Sequence, residues 1–161
     1  MTTAHPEWTV HNRGINGQRS DQILARFQRD VVREKPDYVI ILAGVNDVYQ
    51  GRSQEFVKRN LQTMYDMAIN AGIIAVAATI LPYNAMSPFE AKTIAHLNNW
   101  IKNTAEELKI LFCDTNHAVA DPANPNRLSG SPDELHPDVA GYRVMGEALA
   151  KVIENHLKSL H

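Results

Sequence analysis

Short continuous apolar runs alternate along this chain with longer stretches whose apolar residues recur every three or four positions. Tyr38-Val39-Ile40-Ile41-Leu42-Ala43 and Ile73-Ile74-Ala75-Val76-Ala77-Ala78-Thr79 are apolar at every step, which suits strands buried on both faces of a parallel sheet. Ile110-Leu111-Phe112-Cys113-Asp114 reads as a further strand, and the β-branched and aromatic Trp8-Thr9-Val10-His11-Asn12 as another, ahead of Gly14 and Gly17. Between them lie helical stripes. Ile23, Leu24, Phe27, Val31 and Val32 follow Ser20, a capping residue, and Pro36 closes that helix. Phe56, Val57, Leu61, Met64, Tyr65 and Ala68 form a second stripe behind Ser53, with Asn70-Ala71-Gly72 as its stop. Ser87-Pro88-Phe89-Glu90 combines a capping serine, a proline at the first helical position and a glutamate three residues on, so a helix starts there and runs to about Leu108. Residues 115–136 read as a long polar loop, and Tyr142, Val144, Met145, Leu149, Val152, Ile153 and Leu157 mark a last helix.

Strand–helix alternation, four times over, predicts a parallel sheet covered on both faces. No linker, repeat or low-complexity segment divides the chain, so residues 1–161 form one domain. The longest apolar stretch, residues 71–81 with breaks at Gly72 and Thr79, is about half the roughly 20 residues that a bilayer span needs. Lys plus Arg number 16 against 18 Asp plus Glu, a net charge of −2, which leaves no basic excess for binding nucleic acid. The single cysteine cannot pair internally and favours a reducing compartment, and no leader pattern opens the chain; the cytoplasm is the expected location.

In an open parallel sheet, ligands bind beyond the carboxyl ends of the strands. The loops there read Arg13-Gly14-Ile15-Asn16-Gly17-Gln18, Gly44-Val45-Asn46-Asp47, Leu81-Pro82-Tyr83-Asn84 and, ahead of the last helix, Ser131-Pro132-Asp133-Glu134-Leu135-His136-Pro137. Asp133 and His136 are three apart, a spacing that can set a carboxylate against one imidazole nitrogen and leave the other as a general base. Taken alone the pair is equally an exposed histidine beside a capping aspartate, since the chain holds seven histidines. His5, His96, His156 and His161 read as solvated positions. Asn46 can offer its amide as an oxyanion donor, or simply make a turn. Gly17 can bring its backbone N–H close to a ligand, or serve only a positive φ. No histidine pair has ligand spacing and one cysteine builds no thiolate site, so neither metal nor cofactor is expected. The glycine loop reads G-x-x-G rather than G-x-G-x-x-G, a weak match to a dinucleotide site.

Together, Asn12-Arg13-Gly14-Ile15-Asn16-Gly17, Gly44-Val45-Asn46-Asp47 and Asp133-Glu134-Leu135-His136-Pro137, in this order at strand ends, resemble the second, third and fifth sequence blocks of the SGNH (GDSL-type) hydrolases. The resemblance covers nearly the whole chain and includes Ala140-Gly141-Tyr142 after the histidine block; it departs at Glu134, where the family usually has glycine, and at Asp138, where it often has asparagine. It implies a flavodoxin-like three-layer α/β/α sandwich that hydrolyses esters or thioesters without a metal, with a small-molecule ester as substrate. The family's roles carry over to Gly17 and Asn46 as oxyanion donors, His136 as general base and Asp133 as its orienting acid.

The family's nucleophile is a serine in a Gly-Asp-Ser block, and no such tripeptide occurs in this sequence. That block lies at the end of the family's first, central strand, about 30 residues before the glycine matched by Gly17, and only 16 residues precede Gly17 here. The fold is therefore expected with its first central strand missing, which leaves three outcomes: the flanking strands pair directly, a slot with open edges remains, or the natural protein continues upstream. The last is the simplest. Ser20 and Ser53 read as caps, Ser129 and Ser131 as turn residues and Cys113 as a buried apolar group, so none is expected to replace the serine. Open edges would favour a homo-oligomer through strand exchange or edge pairing. Two alternatives to an ester hydrolase are a catalytically inactive binding module with the same cleft, and a flavodoxin-like nucleotide or phosphate binder using residues 14–20.

Overall fold

The computed structural model describes residues 5–160. Its centre is a three-stranded parallel sheet of β1 (Tyr38–Ile41), β2 (Ile74–Ala78) and β3 (Leu111–Cys113), in the order β1-β2-β3. Helices α1 (Ser20–Phe27), α3 (Gln54–Asn70) and α4 (Pro88–Leu108) supply much of one core, and α6 (Val139–Ser159) supplies the other. The pleat sorts the strand residues between them. Val39, Ile41, Ala75, Ala77 and Phe112 join the first core, whereas Tyr38, Ile40, Val76, Ala78, Leu111 and Cys113 join the second. This is the expected α/β sandwich, with every strand apolar on both faces because both faces are covered.

The predicted helix boundaries at Ser53 and Ser87 appear as read. Ser53 Oγ accepts from Phe56 N at 3.2 Å, and Ser87 with Glu90 forms a reciprocal capping box ahead of Pro88. Other expectations are corrected. Residues 8–12 form no strand. They find no backbone ladder with β1, whose outer side has no strand neighbour among the described residues, and Trp8 instead stacks on His5 at 3.9 Å. The sheet accordingly has three strands rather than four. Residues 115–136 are not one loop: they hold α5 (Thr115–Val119) and an antiparallel hairpin of β4 (Ala120–Asp121) and β5 (Asn124–Leu128). Helix α1 passes at Gln28–Val32 into a π-helical turn before Pro36. His5 and His156 are not merely solvated, since His5 Nε2 meets Glu154 at 2.7 Å and His156 Nδ1 bonds Tyr38 Oη at 2.9 Å. His161 lies outside the described residues.

Candidate active site

The first of the four loops, which follows no strand but leads into α1, is folded by its own polar side chains. Asn12 Oδ1 accepts from Gly14 N at 2.8 Å, and Gly17 takes a φ of +76°. A Cβ at Gly17 would meet nothing within 4 Å, so the backbone angle, not crowding, asks for glycine here. Arg26, on α1, reaches back over the loop. Its Nε donates to Gln18 Oε1 and its Nη1 to Arg13 O, each at 2.7 Å, while Asp30 holds the same guanidinium at 2.8 Å. Sequence reasoning missed this strut, because its partners lie eight and thirteen residues upstream.

The second loop is a helix, not a loop. Gly44 turns the chain at φ +122° out of β1 and into the short helix α2 (Val45–Tyr49), which presents Asn46 and Asp47. Asn46 Nδ2 donates to Gln18 O at 3.0 Å, so the structure brings Asn46 beside the Gly17 loop. Asp47 is fully buried and accepts from Ser20 N at 2.8 Å and Ser20 Oγ at 2.6 Å. Ser20 is therefore no cap: Arg19 holds the N-cap position of α1, and the buried hydroxyl is spent on Asp47. Burial pushes the Asp47 carboxyl above its ordinary value, against the hydrogen bonds from Ser20.

The third and fourth loops are tied to each other. Asn98 on α4 clamps Ile80 through both its backbone N (2.7 Å) and O (2.9 Å). Beyond that clamp, Asn84 N donates to Glu134 O at 2.7 Å and Asn84 Oδ1 accepts from Leu128 N at 2.8 Å. The backbone of residues 133–136 is folded around Asp133. Its Oδ1 accepts from Leu135 N (3.0 Å) and His136 N (2.8 Å), and its Oδ2 meets His136 Nδ1 at 2.7 Å. Glu134, where the motif usually has glycine, sits at φ +63° between them. The histidine ring and the two backbone N–H groups hold the Asp133 carboxyl well below the usual carboxylate range, with the ring contributing most. Both side chains are about half exposed, and no hydrogen bond from another described side chain engages His136 Nε2. Such a pair can take a proton at Nε2 and steady the resulting imidazolium through Nδ1.

Gly17 and Asn46 thus share one direct contact system, and Asp133 and His136 another. The two are linked through the ring of Tyr49, at the end of α2, which packs edge-on against Tyr83 with 6.0 Å between centroids, one residue before Asn84. Asn46 stands on α2 just beyond β1, Gly17 on the segment that enters α1, and Asp133 and His136 on the segment that enters α6.

The α/β sandwich, with its parallel sheet covered on both faces, is the fold of GDSL-like lipase structures. The chain belongs to the GDSL-like lipase/acylhydrolase family, whose profile matches residues 2–144. It is 28% identical to an acetylxylan esterase from Geobacillus stearothermophilus over 95% of this chain and 76% of that protein. The crystal structure of an acetylxylan esterase from the same organism superposes with a TM-score of 0.79 at 26% identity, covering 94% of this chain and 76% of that one. A GDSL-like lipase from Bacteroides thetaiotaomicron superposes with a TM-score of 0.82 at 29% identity, over 89% and 75% of the two chains. The family and its structures place this chain among carboxylic ester hydrolases. No helix among the described residues is long and apolar enough to cross a membrane.

Proposed function

We propose that these loops form the base and oxyanion side of a serine ester hydrolase. One observation carries the reading: Asp133 Oδ2 engages His136 Nδ1 at 2.7 Å, which leaves Nε2 as the proton acceptor. In this scheme a serine hydroxyl attacks the acyl carbonyl and passes its proton to His136 Nε2. The carbonyl oxygen becomes an oxyanion held by the Gly17 N–H and the Asn46 amide. His136 returns the proton to the leaving alcohol, and water then hydrolyses the acyl-serine by the same route. Similarity to acetylxylan esterases over most of the chain supports acetyl esters of sugars as the substrate class.

Among the described residues, none is identified with the nucleophile's role. No Gly-Asp-Ser tripeptide is present, Ser20 is buried against Asp47, Ser53 caps α3, and buried Cys113 has its thiol pushed up to about 11 by desolvation. This absence supports a second reading, in which the chain binds acyl esters in the cleft without turning them over.

Two measurements test the proposal. With p-nitrophenyl acetate, the chain is expected to hydrolyse no faster than its His136→Ala variant; turnover of about 1 per second or more that His136→Ala abolishes would mean a nucleophile is present after all. Titration with peracetylated methyl β-xyloside is expected to move the NMR signals of the Gly17 N–H, the Asn46 side-chain amide and the His136 ring together. Shifts confined to other residues would refute the cleft.

A further inference from the structure

Asp47 is a carboxylate with no solvent exposure, next in sequence to a proposed oxyanion donor, and the scheme above gives it no role. Burying a carboxylate is costly unless its oxygens are well bonded, and an apolar residue would fill the same space more cheaply. Its bonds show what the burial achieves. Both of its oxygens are taken by one residue, Ser20, through the backbone N–H (2.8 Å) and the hydroxyl (2.6 Å). The hydroxyl oxygen in turn accepts from Asn60 Nδ2, on α3, at 2.9 Å. Asn60 is itself buried, so the relay Asn60–Ser20–Asp47 is closed off from water.

These bonds join the two segments that carry the oxyanion donors. Ser20 lies three residues beyond Gly17, and Asp47 directly follows Asn46 on α2. A further bond, from Asn46 Nδ2 to Gln18 O at 3.0 Å, crosses the same gap with the donor on the opposite side. Two ties between residues 17–20 and residues 46–47 remove the sliding and hinging that one tie would permit. An oxyanion hole needs this: its donors must lie about 2.7–3.1 Å from a single oxygen atom. Arg26 braces the outer side of the glycine loop but makes no bond to α2, and the exposed bond from Arg19 Nη1 to Gln50 Oε1 (3.0 Å) reaches only the cap beyond α2, so the buried and part-buried ties between the two donor segments are those of Asn46 and Asp47.

We propose that Asp47, acting through Ser20 and Asn60, is a positioning residue that sets the distance between the Gly17 N–H and the Asn46 amide. It touches no reacting atom. The inference rests on the proposed role of Gly17 and Asn46.

The test compares the wild-type chain with Asp47→Asn and Ser20→Ala. Asparagine keeps the shape but offers a single acceptor to two donors. Amide exchange at Gly17 and Gln18, measured against the slowest-exchanging core amides, is expected to quicken about tenfold in Asp47→Asn. Affinity for peracetylated methyl β-xyloside is expected to fall about tenfold, the loss that goes with one charge-assisted hydrogen bond. Ser20→Ala, which spares the bond from the Ser20 N–H, is expected to give the same changes at smaller size and covers the case where Asp47→Asn does not fold. If the variants lower the urea midpoint but leave relative exchange at Gly17 and ester affinity unchanged, the aspartate is only a structural tie and the proposal fails. If the wild-type chain shows no ester-induced shift at Gly17 and Asn46, the proposed function fails instead, and the exchange measurement still decides whether Asp47 holds the glycine loop.

Discussion

Gly44 offers the sharpest test of how β1 delivers Asn46. Its φ of +122° lies in a region that side chains rarely adopt, and a Cβ there would sit 2.6 Å from Ile80 Cδ1 and 3.2 Å from both Ile80 Cγ1 and Val57 Cγ1. Val57 and Ile80 are both fully buried in the first core, so neither can swing into solvent to make room. Gly44→Ala therefore carries two penalties: about 1–3 kcal/mol for the backbone conformation and about 1–3 kcal/mol for the overpacked methyl. The sum, roughly 2–6 kcal/mol, is a large part of the roughly 5–15 kcal/mol that a domain of this size has in reserve. Gly51→Ala is the control, because Gly51 also has a positive φ, +69°, but nothing within 4 Å of its would-be Cβ. It should cost only the left-handed backbone term, about 1–2 kcal/mol. Urea unfolding followed by circular dichroism reads both, and a loss of ~3 kcal/mol lowers the midpoint by about 1–3 M. A Gly44→Ala midpoint equal to that of Gly51→Ala would refute the packing argument, and one equal to wild type would refute the backbone argument as well.

Three further predictions address other links in the chain of support. Asn98→Ala strands the buried Ile80 N–H while Asn116 still serves Ile80 O, so it should cost about 1–3 kcal/mol in chemical denaturation; a change below ~0.5 kcal/mol would mean water replaces the clamp. The buried Asp47 carboxyl has a folded pKa above its unfolded one, so the folded state binds its proton more tightly. Stability should then fall as pH rises from the ordinary carboxylate pKa through the raised one, a slope that Asp47→Asn removes; an unchanged slope in the variant counts against the assignment. The outer side of β1 has no ladder neighbour among the described residues, and Tyr38, Val39 and Ile40 along it are only partly buried. Edge pairing with a second copy should appear in light scattering as a concentration-dependent dimer, and a monodisperse monomer throughout would exclude it.

What was legible in the sequence divides by the range of the interactions involved. Strands β1, β2 and β3 follow from short continuous apolar runs, and the stripes of α1, α3 and α6 from a period of three to four, which is set by the geometry of the element itself. The caps at Ser53 and Ser87 close over three residues, and so does the Asp133–His136 pair. The failures have the opposite character. Residues 8–12 have a strand's composition, but a strand exists only where a neighbour accepts its ladder, and composition does not report the neighbour. Ser20 has a capping residue's chemistry, yet its hydroxyl goes to a carboxylate 27 positions away. The hairpin of β4 and β5 hides in polar residues because its outer strand is largely exposed.

The same division runs through the candidate site and bears on how it works. Asp133 and His136 sit on a turn that folds upon itself, so their contact needs little from the rest of the molecule. Gly17 and Asn46 are brought together by the bonds of Asn46 to Gln18 O and of Asp47 to Ser20, which span 28 and 27 residues. The base half of the site is therefore encoded locally, whereas the oxyanion half exists only once β1, α1 and α2 have packed. A destabilising change in the first core, such as Gly44→Ala, should loosen the oxyanion donors while the histidine turn keeps its hydrogen bonds. Sensitivity to such mutations should thus appear first in how tightly the cleft holds an acyl oxygen, and only later in the state of His136.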